Sequence, residues 1–395
     1  MSGNTKPLTI WQIDPAQLTP YYDAATCEAL AQAGCQVRYI TSRFLYDDTM
    51  PRPEHYQTNQ IYFRGLDNPR LLKYPRLRRV LRGISYPLGH WHVLQDARRL
   101  KPDVVHIQWS RLPRFDVWLI RQLKALGISV VHTVHDVVPL FALESSTDPL
   151  RKIYEEADRL ILHTQANVDD FLKVYPGFSK DRMRIVPLIE FDKTDHRGKA
   201  DKMQARQQLG LPLEVPIVLF FGSIRYYKGV DVLLDAFKRA VATRPDLHLV
   251  IAGKADPLER AKIPALDQIT RLANVHLYEG FIPHDDLWAY YTAADVVVHP
   301  YRHIYQSAAL ITAMSFGRAV IVTDVGGMPE TVDGNGWIVP SENPAALAEV
   351  MLEAVLDIKR LDVMGQRSRQ LIEDRHSGEV VANRLIAIYQ ELVGH

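Results

Sequence analysis

Residues 217–229 read IVLFFGSIRYYKG, and this stretch decides the fold of the second half of the chain. The apolar run 217–221 is typical of a buried strand, Gly222 allows a tight turn, and the run that follows has helical spacing. A strand, a glycine turn and a helix start bring backbone N–H groups and the positive end of a helix dipole together. Arg225 and Lys228 add full positive charge. The segment therefore predicts an anion site, although an ordinary strand–turn–helix with solvated cations fits the same residues.

Short apolar runs alternate with helical-period segments along the chain, which is typical of parallel sheets covered by helices. For 395 residues, two domains are expected. We predict doubly wound α/β domains over 1–190 and 191–375, a polar linker over 190–200, and a final helix, 376–395, that packs back on the first domain. The predicted strands are Leu8–Ile13, Val37–Ile40, Val104–Ile107, Ser129–Val134, Arg159–His163, Met183–Val186, Pro216–Phe221, Leu247–Ala252, Val275–Tyr278, Val296–His299, Ala319–Val322 and Trp337–Val339.

Composition excludes several classes of protein. An apolar content of 47% and a charged content of 24% are globular values, and 47 basic against 46 acidic residues do not indicate a nucleic-acid partner. Cys27 and Cys35 form no metal or disulfide pattern and fit a reducing compartment. The polar N-terminus is not typical of a signal peptide, and no apolar run approaches the roughly 18–20 residues that span a bilayer. We therefore expect a cytoplasmic protein, soluble or peripheral on a membrane.

A second informative segment follows the predicted strand that ends at His299. Residues 300–331 read PYRHIYQSAALITAMSFGRAVIVTDVGGMPET. Together with 217–229, with IAGK at 251–254 and with GFIP at 280–283, in this order, the chain resembles the retaining GT-B glycosyltransferases of glycosyltransferase family 4.

The resemblance is strongest over 216–340. In the first half it rests on PYYD at 20–23, on Gly34 and on VHD at 134–136. It implies a GT-B fold, in which two Rossmann-like domains face each other across a cleft, with the acceptor on the first domain and a nucleotide sugar on the second. Ligands of open α/β sheets bind at the carboxyl ends of the strands, which suits a transfer between two substrates.

On the donor side, the resemblance implies that Arg225 and Lys228 hold the diphosphate of a nucleotide sugar, with UDP or GDP expected and no other cofactor. Negative charge grows on the departing phosphate, so fixed cations stabilise the transition state more than the ground state. The other implied donor positions are Gly222, Ser223, Gly253, Lys254, Phe281, Ile282, Gln306, Ser307, Ala308 and Thr312. Helix capping is the alternative interpretation of Ser307, and a solvated surface charge is the alternative interpretation of Lys254.

The chain departs from the family at three places. Many members place the arginine directly after the glycine, where this chain has Ser223. Members often carry two glutamates eight positions apart, the second on the donor ribose, where this chain has Ile304 and Thr312. One hydroxyl binds a ribose more weakly than a carboxylate that accepts two bonds, so donor recognition is altered or activity is reduced or lost. The stretch 14–20 replaces the family's glycine-rich loop, so the acceptor does not carry over.

In the first half, His135 matches the family histidine that contacts the donor sugar, where it would bind a sugar hydroxyl or a peptide carbonyl. A packed or capping histidine is the alternative, and His132 is the clearer case because strand alternation turns it to the opposite face. The same alternation disfavours a metal set of His132, His135 and Asp136. The predicted acceptor-side residues are Thr19, Tyr21 and Tyr22, and weaker candidates are His106 and Trp109.

The stretch 64–82 is locally basic, with seven Arg or Lys residues against Asp67 and with apolar residues between them. Such a surface suits anionic lipid headgroups or a lipid diphosphate, and a solvated helix face fits the same pattern. We predict peripheral attachment to the inner face of the plasma membrane.

These observations together predict a retaining, metal-independent glycosyltransferase that moves a sugar from a nucleotide-diphosphate donor to a glycan or lipid-linked acceptor in surface polysaccharide assembly. Because no carboxylate stands out as a nucleophile, we favour same-face attack in which the leaving phosphate takes the acceptor's proton. The alternatives are a GT-B epimerase or phosphorylase, and a non-catalytic sugar-nucleotide-binding partner protein, which Thr312 makes credible.

Overall fold

A computed structural model describes residues 6–45, 52–138, 148–191, 201–269 and 272–394. The chain divides into two compact units, Met1–Phe191 with His376–His395, and Asp192–Arg375. From residue 192 onward, the predicted linker lies outside the described residues.

The strands and helices alternate along the chain. The strands are β1 (Thr9–Asp14), β2 (Gln36–Thr41), β3 (Gln57–Gln60), β4 (Val104–Ile107), β5 (Ser129–Thr133), β6 (Arg159–Leu162), β7 (Met183–Ile185), β8 (Ile217–Phe221), β9 (His248–Gly253), β10 (Val275–Glu279), β11 (Val296–His299), β12 (Ala319–Thr323) and β13 (Gly336–Val339). The helices are α1 (Pro20–Gln32), α2 (Pro75–Leu100), α3 (Pro113–Ala125), α4 (Asp148–Glu156), α5 (Gln165–Val174), α6 (Lys202–Gln208), α7 (Val230–Thr243), α8 (Pro257–Arg260), α9 (Ala265–Ile269), α10 (Leu287–Ala293), α11 (Ala308–Ser315), α12 (Met328–Thr331), α13 (Pro344–Ala354), α14 (Ile358–Arg375) and α15 (Gly378–Val393).

Each unit contains one doubly wound parallel sheet. The strand order is β3-β2-β1-β4-β5-β6-β7 in the first unit and β10-β9-β8-β11-β12-β13 in the second. In each sheet the order reverses once, between β1 and β4 and between β8 and β11. Doubly wound sheets bind ligands at such switch points, so a ligand site is expected at the loops after these four strands.

All twelve predicted strands are present, with ends that differ from the predicted ones by one residue at most. Strand β3 was not predicted. Its sequence is QTNQ, it is almost entirely exposed, and it pairs only with β2 at the edge of the sheet. An edge strand with one paired side needs no apolar pattern, so periodicity does not reveal it.

A buried ion pair joins the amino ends of the two switch-point strands in the second unit. The carboxylate of Asp295, just before β11, accepts hydrogen bonds from the guanidinium of Arg206 (2.9 Å) and from the backbone N–H of Ile217 (2.7 Å), and it also pairs with Lys202. Arg206 and Asp295 are both buried. The pair fixes β8 against β11, and so it fixes the relative positions of the loops at their other ends.

The last helix, α15, packs on α1 in the first unit. The hydroxyl of Tyr389 lies 2.7 Å from Nδ1 of His106, and His106 is buried. His106, a weak site candidate from the sequence, therefore has a packing role. Across the described ranges, no helix is both long and apolar enough to cross a bilayer.

Candidate functional site

The glycine turn after β8 is held by backbone contacts to the loop after β9. The N–H of Gly222 donates to the carbonyl of Ala252 (2.9 Å), and the N–H of Ile224 donates to the carbonyl of Lys254 (2.8 Å). At Gly253 a Cβ atom would lie 2.0 Å from the carbonyl oxygen of Gly222, so only glycine fits there. The N–H groups of Gly222 and Ile224 are thus committed to the protein rather than to a ligand.

The same turn contacts the loop after β11. Gly229 has a φ of +65°, which favours glycine, and a Cβ atom there would lie 1.9 Å from the carbonyl oxygen of Pro300. The N–H of Arg302 donates to the carbonyl of Tyr227 (2.8 Å). The two loops therefore meet at the switch point of the second sheet.

Lys228 lies at this meeting point with its ammonium folded over the turn. Its Nζ is 2.9 Å from the place a Cβ atom on Gly222 would occupy, and 5.4 Å from the ring centre of Tyr301. Burial, and then the nearby charge of Arg225, lower the pKa of Lys228 to about 8. The lysine is therefore still mostly charged at neutral pH, and an anion bound between the two cations would relieve their repulsion. The two cations predicted from residues 217–229 thus lie at the contact between these loops, and the anion site itself stays a prediction.

His299 ends β11 beside the lysine and was not singled out from the sequence. It is fully buried, its Nδ1 lies 3.3 Å from the hydroxyl of Tyr301, and its Nε2 has no hydrogen-bond partner within the described part of the chain. Burial, followed by the charge of Lys228, lowers the pKa of His299 to about 3. His299 is therefore neutral at neutral pH, so it does not compete with Lys228 for an anion.

Arg302 clamps the glycine turn in place. Its guanidinium donates to both carboxylate oxygens of Asp231 (2.7 and 2.8 Å) and to Glu342 (2.9 Å), and it lies 4.2 Å from the ring centre of Tyr226. The hydrogen bonds to Asp231 raise the pKa of Arg302. With its donors committed in this way, Arg302 holds the start of α7 against the loop after β11.

The start of α11 reaches the same place through Tyr301, whose hydroxyl hydrogen-bonds the side chain of Ser307. Ser307 also caps the helix, because its Oγ accepts from the N–H of Leu310 (3.2 Å), while its own N–H donates to the side chain of Gln306 (3.0 Å). The capping role allowed for Ser307 in the sequence is thus present. Exposed Ala308 follows at the first turn of the helix.

Thr312 is buried one turn further along α11. Its hydroxyl donates to the carbonyl of Ala308 (3.1 Å), a bond within the helix. The proton of this hydroxyl is therefore used by the helix, and only the oxygen's acceptor capacity remains for a ribose.

The remaining predicted donor positions lie on adjacent loops of the same sheet edge. The N–H of Gly280 donates to the carbonyl of Gly253 (3.2 Å), which joins the loops after β9 and β10. Phe281 is 55% exposed and Ile282 is half-buried, so the aromatic ring is available to a planar base. Ser223 is half-buried in the glycine turn and Lys254 is exposed.

In the first unit, the structure brings His135 to the loops after β1 and β4. Its ring stacks on Trp109, with ring centres 4.7 Å apart, and meets Tyr22 edge-on at 5.2 Å. The indole N–H of Trp109 donates to Oγ1 of Thr19 (3.0 Å). Three of the four predicted residues, His135, Thr19 and Tyr22, therefore gather at the switch point, and Tyr21 lies half-buried in the first turn of α1.

Hydrogen bonds define the tautomer of His135. Nδ1 of His163 lies 2.9 Å from the carbonyl of Val186, which can only accept, so this nitrogen carries the proton. Burial lowers the pKa of His163 to about 4, so its Nε2 is an acceptor at neutral pH. Nδ1 of His135 lies 3.3 Å from that acceptor and must donate to it. The Nε2 of His135 is then a lone pair, and it lies 3.1 Å from Oε1 of Gln108. Two acceptors cannot share a hydrogen bond, so this tautomer also requires the Gln108 amide to be turned with its NH2 group toward His135.

The possible metal set of His132, His135 and Asp136 is not assembled. His132 lies with Nε2 3.1 Å from the hydroxyl of Ser110 and its ring edge-on to Tyr154, away from the stack around His135. Burial raises the pKa of Asp136 to about 6. Over the residues described, the possible metal ligands that cluster are Glu28, Glu54 and His55, which include none of the predicted site residues.

Two family models and several known proteins match the chain. The family model described as glycosyl transferases group 1 matches residues 201–371, and the model described as glycosyltransferase family 4 matches residues 24–188. The chain is 27% identical over 321 residues to the D-inositol 3-phosphate glycosyltransferase of Corynebacterium urealyticum, across 78% of this chain and 72% of the relative.

Solved structures share the fold. A sucrose-phosphate synthase from Thermosynechococcus elongatus matches with a TM-score of 0.72 and 23% identity over 98% of this chain and 99% of that one. Anabaena Alr3699/HepE in complex with UDP-glucose matches with a TM-score of 0.71 and 16% identity, over 98% and 100% of the two chains. The predicted fold class, GT-B with two doubly wound Rossmann-like domains, is confirmed.

The charge state of Lys228 yields a first prediction. We expect the affinity for inorganic pyrophosphate to fall between about pH 7 and about pH 9.5, because the lysine is charged below its pKa of about 8 and neutral above it. Calorimetric titration measures the affinity at each pH. Lys228→Arg is the matched control, since arginine stays charged and removes this part of the pH dependence. The same pH dependence in both proteins would contradict the assignment.

The histidine network yields a second prediction. ¹⁵N NMR of labelled histidines should show His135 neutral with its proton on Nδ1 at neutral pH, and His163 neutral down to about pH 4. His163→Phe removes the acceptor and should leave His135 divided between both tautomers. His132→Phe is the control, because His132 makes no hydrogen bond to His135 and its loss should leave the tautomer unchanged. A proton on Nε2 of His135 in the wild type would refute this network.

Proposed function

The chain belongs to the GT-B glycosyltransferases of the family 4 type, and on that premise we propose that it transfers a sugar from a nucleotide-diphosphate donor to a glycan or lipid-linked acceptor with retention of configuration. The observation that carries the proposal is the pair Lys228 and Arg225 at the contact between the loops after β8 and β11. This is where a departing diphosphate needs positive charge.

Lys228 and Arg225 would compensate the negative charge that the reaction creates on the leaving group. The bond between the anomeric carbon and the phosphate oxygen breaks, a bond to the acceptor oxygen forms, and a nucleoside diphosphate leaves. Its negative charge grows in the transition state, where preorganised cations act most strongly. The pKa of Lys228, about 8, indicates an ammonium held in a partly desolvated place, where its charge interacts strongly with the phosphate. We propose that these cations fill the role a divalent metal plays in other transferases, so that the reaction needs no metal.

For the nucleotide of the donor we propose UDP, with GDP as the alternative. The structural neighbour Alr3699/HepE has been crystallised with UDP-glucose, which supports UDP for this fold. Exposed Phe281 offers an aromatic face beside the glycine turn. Because the hydroxyl of Thr312 donates to the carbonyl of Ala308, it binds the ribose less strongly than a glutamate would. The diphosphate contacts then contribute more of the affinity for the donor.

We propose same-face attack, in which the acceptor hydroxyl passes its proton to the leaving phosphate while the new bond forms. His135 is held neutral by burial, and by the neighbouring His163. It therefore acts as a neutral group that helps to orient the substrate rather than as a source of a proton. Asp136, with a pKa raised to about 6, is the carboxyl next to this histidine. A glycosyl group trapped on Asp136 and found by mass spectrometry would replace this mechanism with a covalent one.

A non-catalytic, sugar-nucleotide-binding partner protein is the second candidate function. It is favoured by Ile304 and Thr312, which stand where the family often carries glutamates. A protein of this kind would bind the donor without turning it over, so the assay below distinguishes the two functions.

The donor site yields a third prediction. A thermal-shift screen of UDP-, GDP- and ADP-sugars should identify a stabilising donor, since stabilisation follows affinity for the folded state. With that donor, Lys228→Ala and Arg225→Ala should each lower turnover by about 10²-fold or more, and EDTA should leave the rate unchanged. Product NMR should show the donor's anomeric configuration.

Lys238→Ala is the control for these variants, because Lys238 lies on the same helix, α7, as a half-exposed side chain paired with Asp235. It should turn over at the wild-type rate. Wild-type rates in both site variants would reject the assigned roles. Donor binding without turnover on any acceptor extract would favour the non-catalytic function.

We propose that the protein is cytoplasmic and attaches to the inner face of the plasma membrane through α2, as part of surface polysaccharide assembly. One face of this helix is apolar yet exposed, with side chains 49–69% accessible: Leu77, Val80, Ile84, Leu88 and Trp91. Their spacing of three and four residues places them on one stripe. Basic residues from the stretch 64–82 flank the stripe, a combination that suits anionic lipid.

Liposome flotation gives a fourth prediction. The wild type should float with vesicles that contain anionic lipid and less with neutral vesicles, because both apolar insertion and charge contribute. Leu77→Ser with Ile84→Ser should reduce flotation several-fold by removing apolar contact. Leu258→Ser with Leu356→Ser is the control, since these side chains of the second unit are 79% and 75% exposed and lie outside α2. Equal recovery with all vesicles would reject the attachment.

A further inference from the structure

The first unit contains a cavity of about 700 Å³ that the donor chemistry leaves unused. It lies at the switch point of the first sheet, between the loop after β1, which includes Gln17, the loop after β4, which includes Arg111, and the first three turns of α2. A doubly wound sheet binds its ligand at this position. We call this cavity the arginine pocket.

The lining of the arginine pocket is strongly positive. Its cations are Arg78, Arg79, Arg82 and Arg111, and none of the described residues that line it is acidic. One carboxylate lies behind it, since Asp67 is 3.3 Å from the guanidinium of Arg78 and 4.0 Å from that of Arg82. Among the residues that the structure describes, Asp67 is the carboxylate that pairs with two of these four guanidinium groups, and a lining of four arginines favours an anionic ligand.

Two features prepare the guanidinium groups for a phosphate. The guanidinium of Arg82 lies 3.8 Å from the ring centre of Phe63, and this stacking fixes the plane of its donors. Arg78 and Arg82 are also largely buried, so their side chains have little freedom to lose on binding. Planar guanidinium groups in fixed positions suit the paired oxygens of a phosphate.

Gln17 adds a second, independent indication of a ligand. It is 8% exposed, and its Oε1 has no hydrogen-bond partner among the residues that the structure describes. Its φ of +50° is unusual for a residue other than glycine, and hydrogen bonds from the N–H groups of Ala16 and Leu18 to the Asp14 carboxylate hold the loop in this form. A buried amide oxygen without a partner is destabilising, and a ligand hydroxyl would satisfy it.

We propose that the arginine pocket binds the phosphate or diphosphate group of the glycosyl acceptor, with an acceptor hydroxyl at Gln17. This inference rests on the proposed glycosyl transfer and names the substrate class of its acceptor side. Phe44, Leu72 and Leu112 supply apolar walls next to the arginines, which fit a chain attached to the phosphate. The phosphate belongs either to a lipid or to a soluble phosphorylated polyol, and the same residues recognise both.

Calorimetric titration of the full chain tests this proposal with four probes: octyl phosphate, glycerol 3-phosphate, inorganic phosphate and octyl glucoside. Arg79→Ala with Arg111→Ala removes two exposed cations of the pocket without touching the core. We expect octyl phosphate to bind this variant at least about tenfold more weakly, the effect of losing charge-assisted hydrogen bonds. Lys238→Ala should bind octyl phosphate like the wild type, since that lysine belongs to the other unit and lies outside both proposed sites.

The outcomes separate the possibilities. Tighter binding of octyl phosphate than of glycerol 3-phosphate identifies a lipid acceptor, and the reverse order of affinity identifies a soluble acceptor. Equal binding of octyl phosphate by the wild type and the double variant, or octyl glucoside binding as tightly as octyl phosphate, overturns the proposal. Failure of every sugar nucleotide to bind the wild type would reject the proposed function instead, and the phosphate titrations would still judge the arginine pocket.

Discussion

The contact of Gly229 with the carbonyl of Pro300 is the constraint on which the donor side depends. A Cβ atom at position 229 would lie 1.9 Å from that oxygen, so the two loops meet only because the residue is glycine. Their meeting places Lys228 beside Tyr301, and Tyr301 beside Ser307. The buried pair of Asp295 and Arg206 fixes the same two strands at their other ends. The position of one ammonium group thus follows from the packing of two strands and one glycine.

Burial lowers the pKa of basic side chains in both units, and the type of side chain decides whether its charge survives. In the first unit it keeps His106, His132, His135 and His163 neutral, because each pKa is lowered mainly by desolvation. In the second unit it lowers the pKa of Lys228 only to about 8, so the group keeps its charge. Neutral rings orient hydroxyls without attracting phosphate, whereas the ammonium attracts phosphate strongly. The same physical effect therefore leaves neutral rings in the first unit and a charged ammonium at the glycine turn of the second.

Features encoded by residues close together in the sequence could be predicted, whereas contacts between distant residues could not. Strands β8 and β11 were predictable because each is a contiguous apolar run, and so was the glycine turn after β8 that contains Lys228. Polar β3 was not, since an edge strand carries no periodic signal. The partners of His135 were equally hidden, because Gln108 and His163 lie 27 and 28 residues away and meet it only through strand order. Arg302 would have needed knowledge of Asp231, 71 residues earlier, to be recognised as a clamp.

Helix α2 carries both the stripe proposed to contact a membrane and one wall of the arginine pocket. Its outer stripe, including Ile84 and Leu88, is exposed, while Arg78, Arg82 and Tyr86 on its other side line the arginine pocket. If the stripe lies in the lipid headgroup layer, the pocket beneath it opens next to that layer, within reach of a phosphate anchored there. A soluble phosphorylated acceptor would gain nothing from the stripe, and exposing five large apolar side chains has a cost in solubility. The two faces of one helix together therefore favour a lipid-borne phosphate over a soluble one.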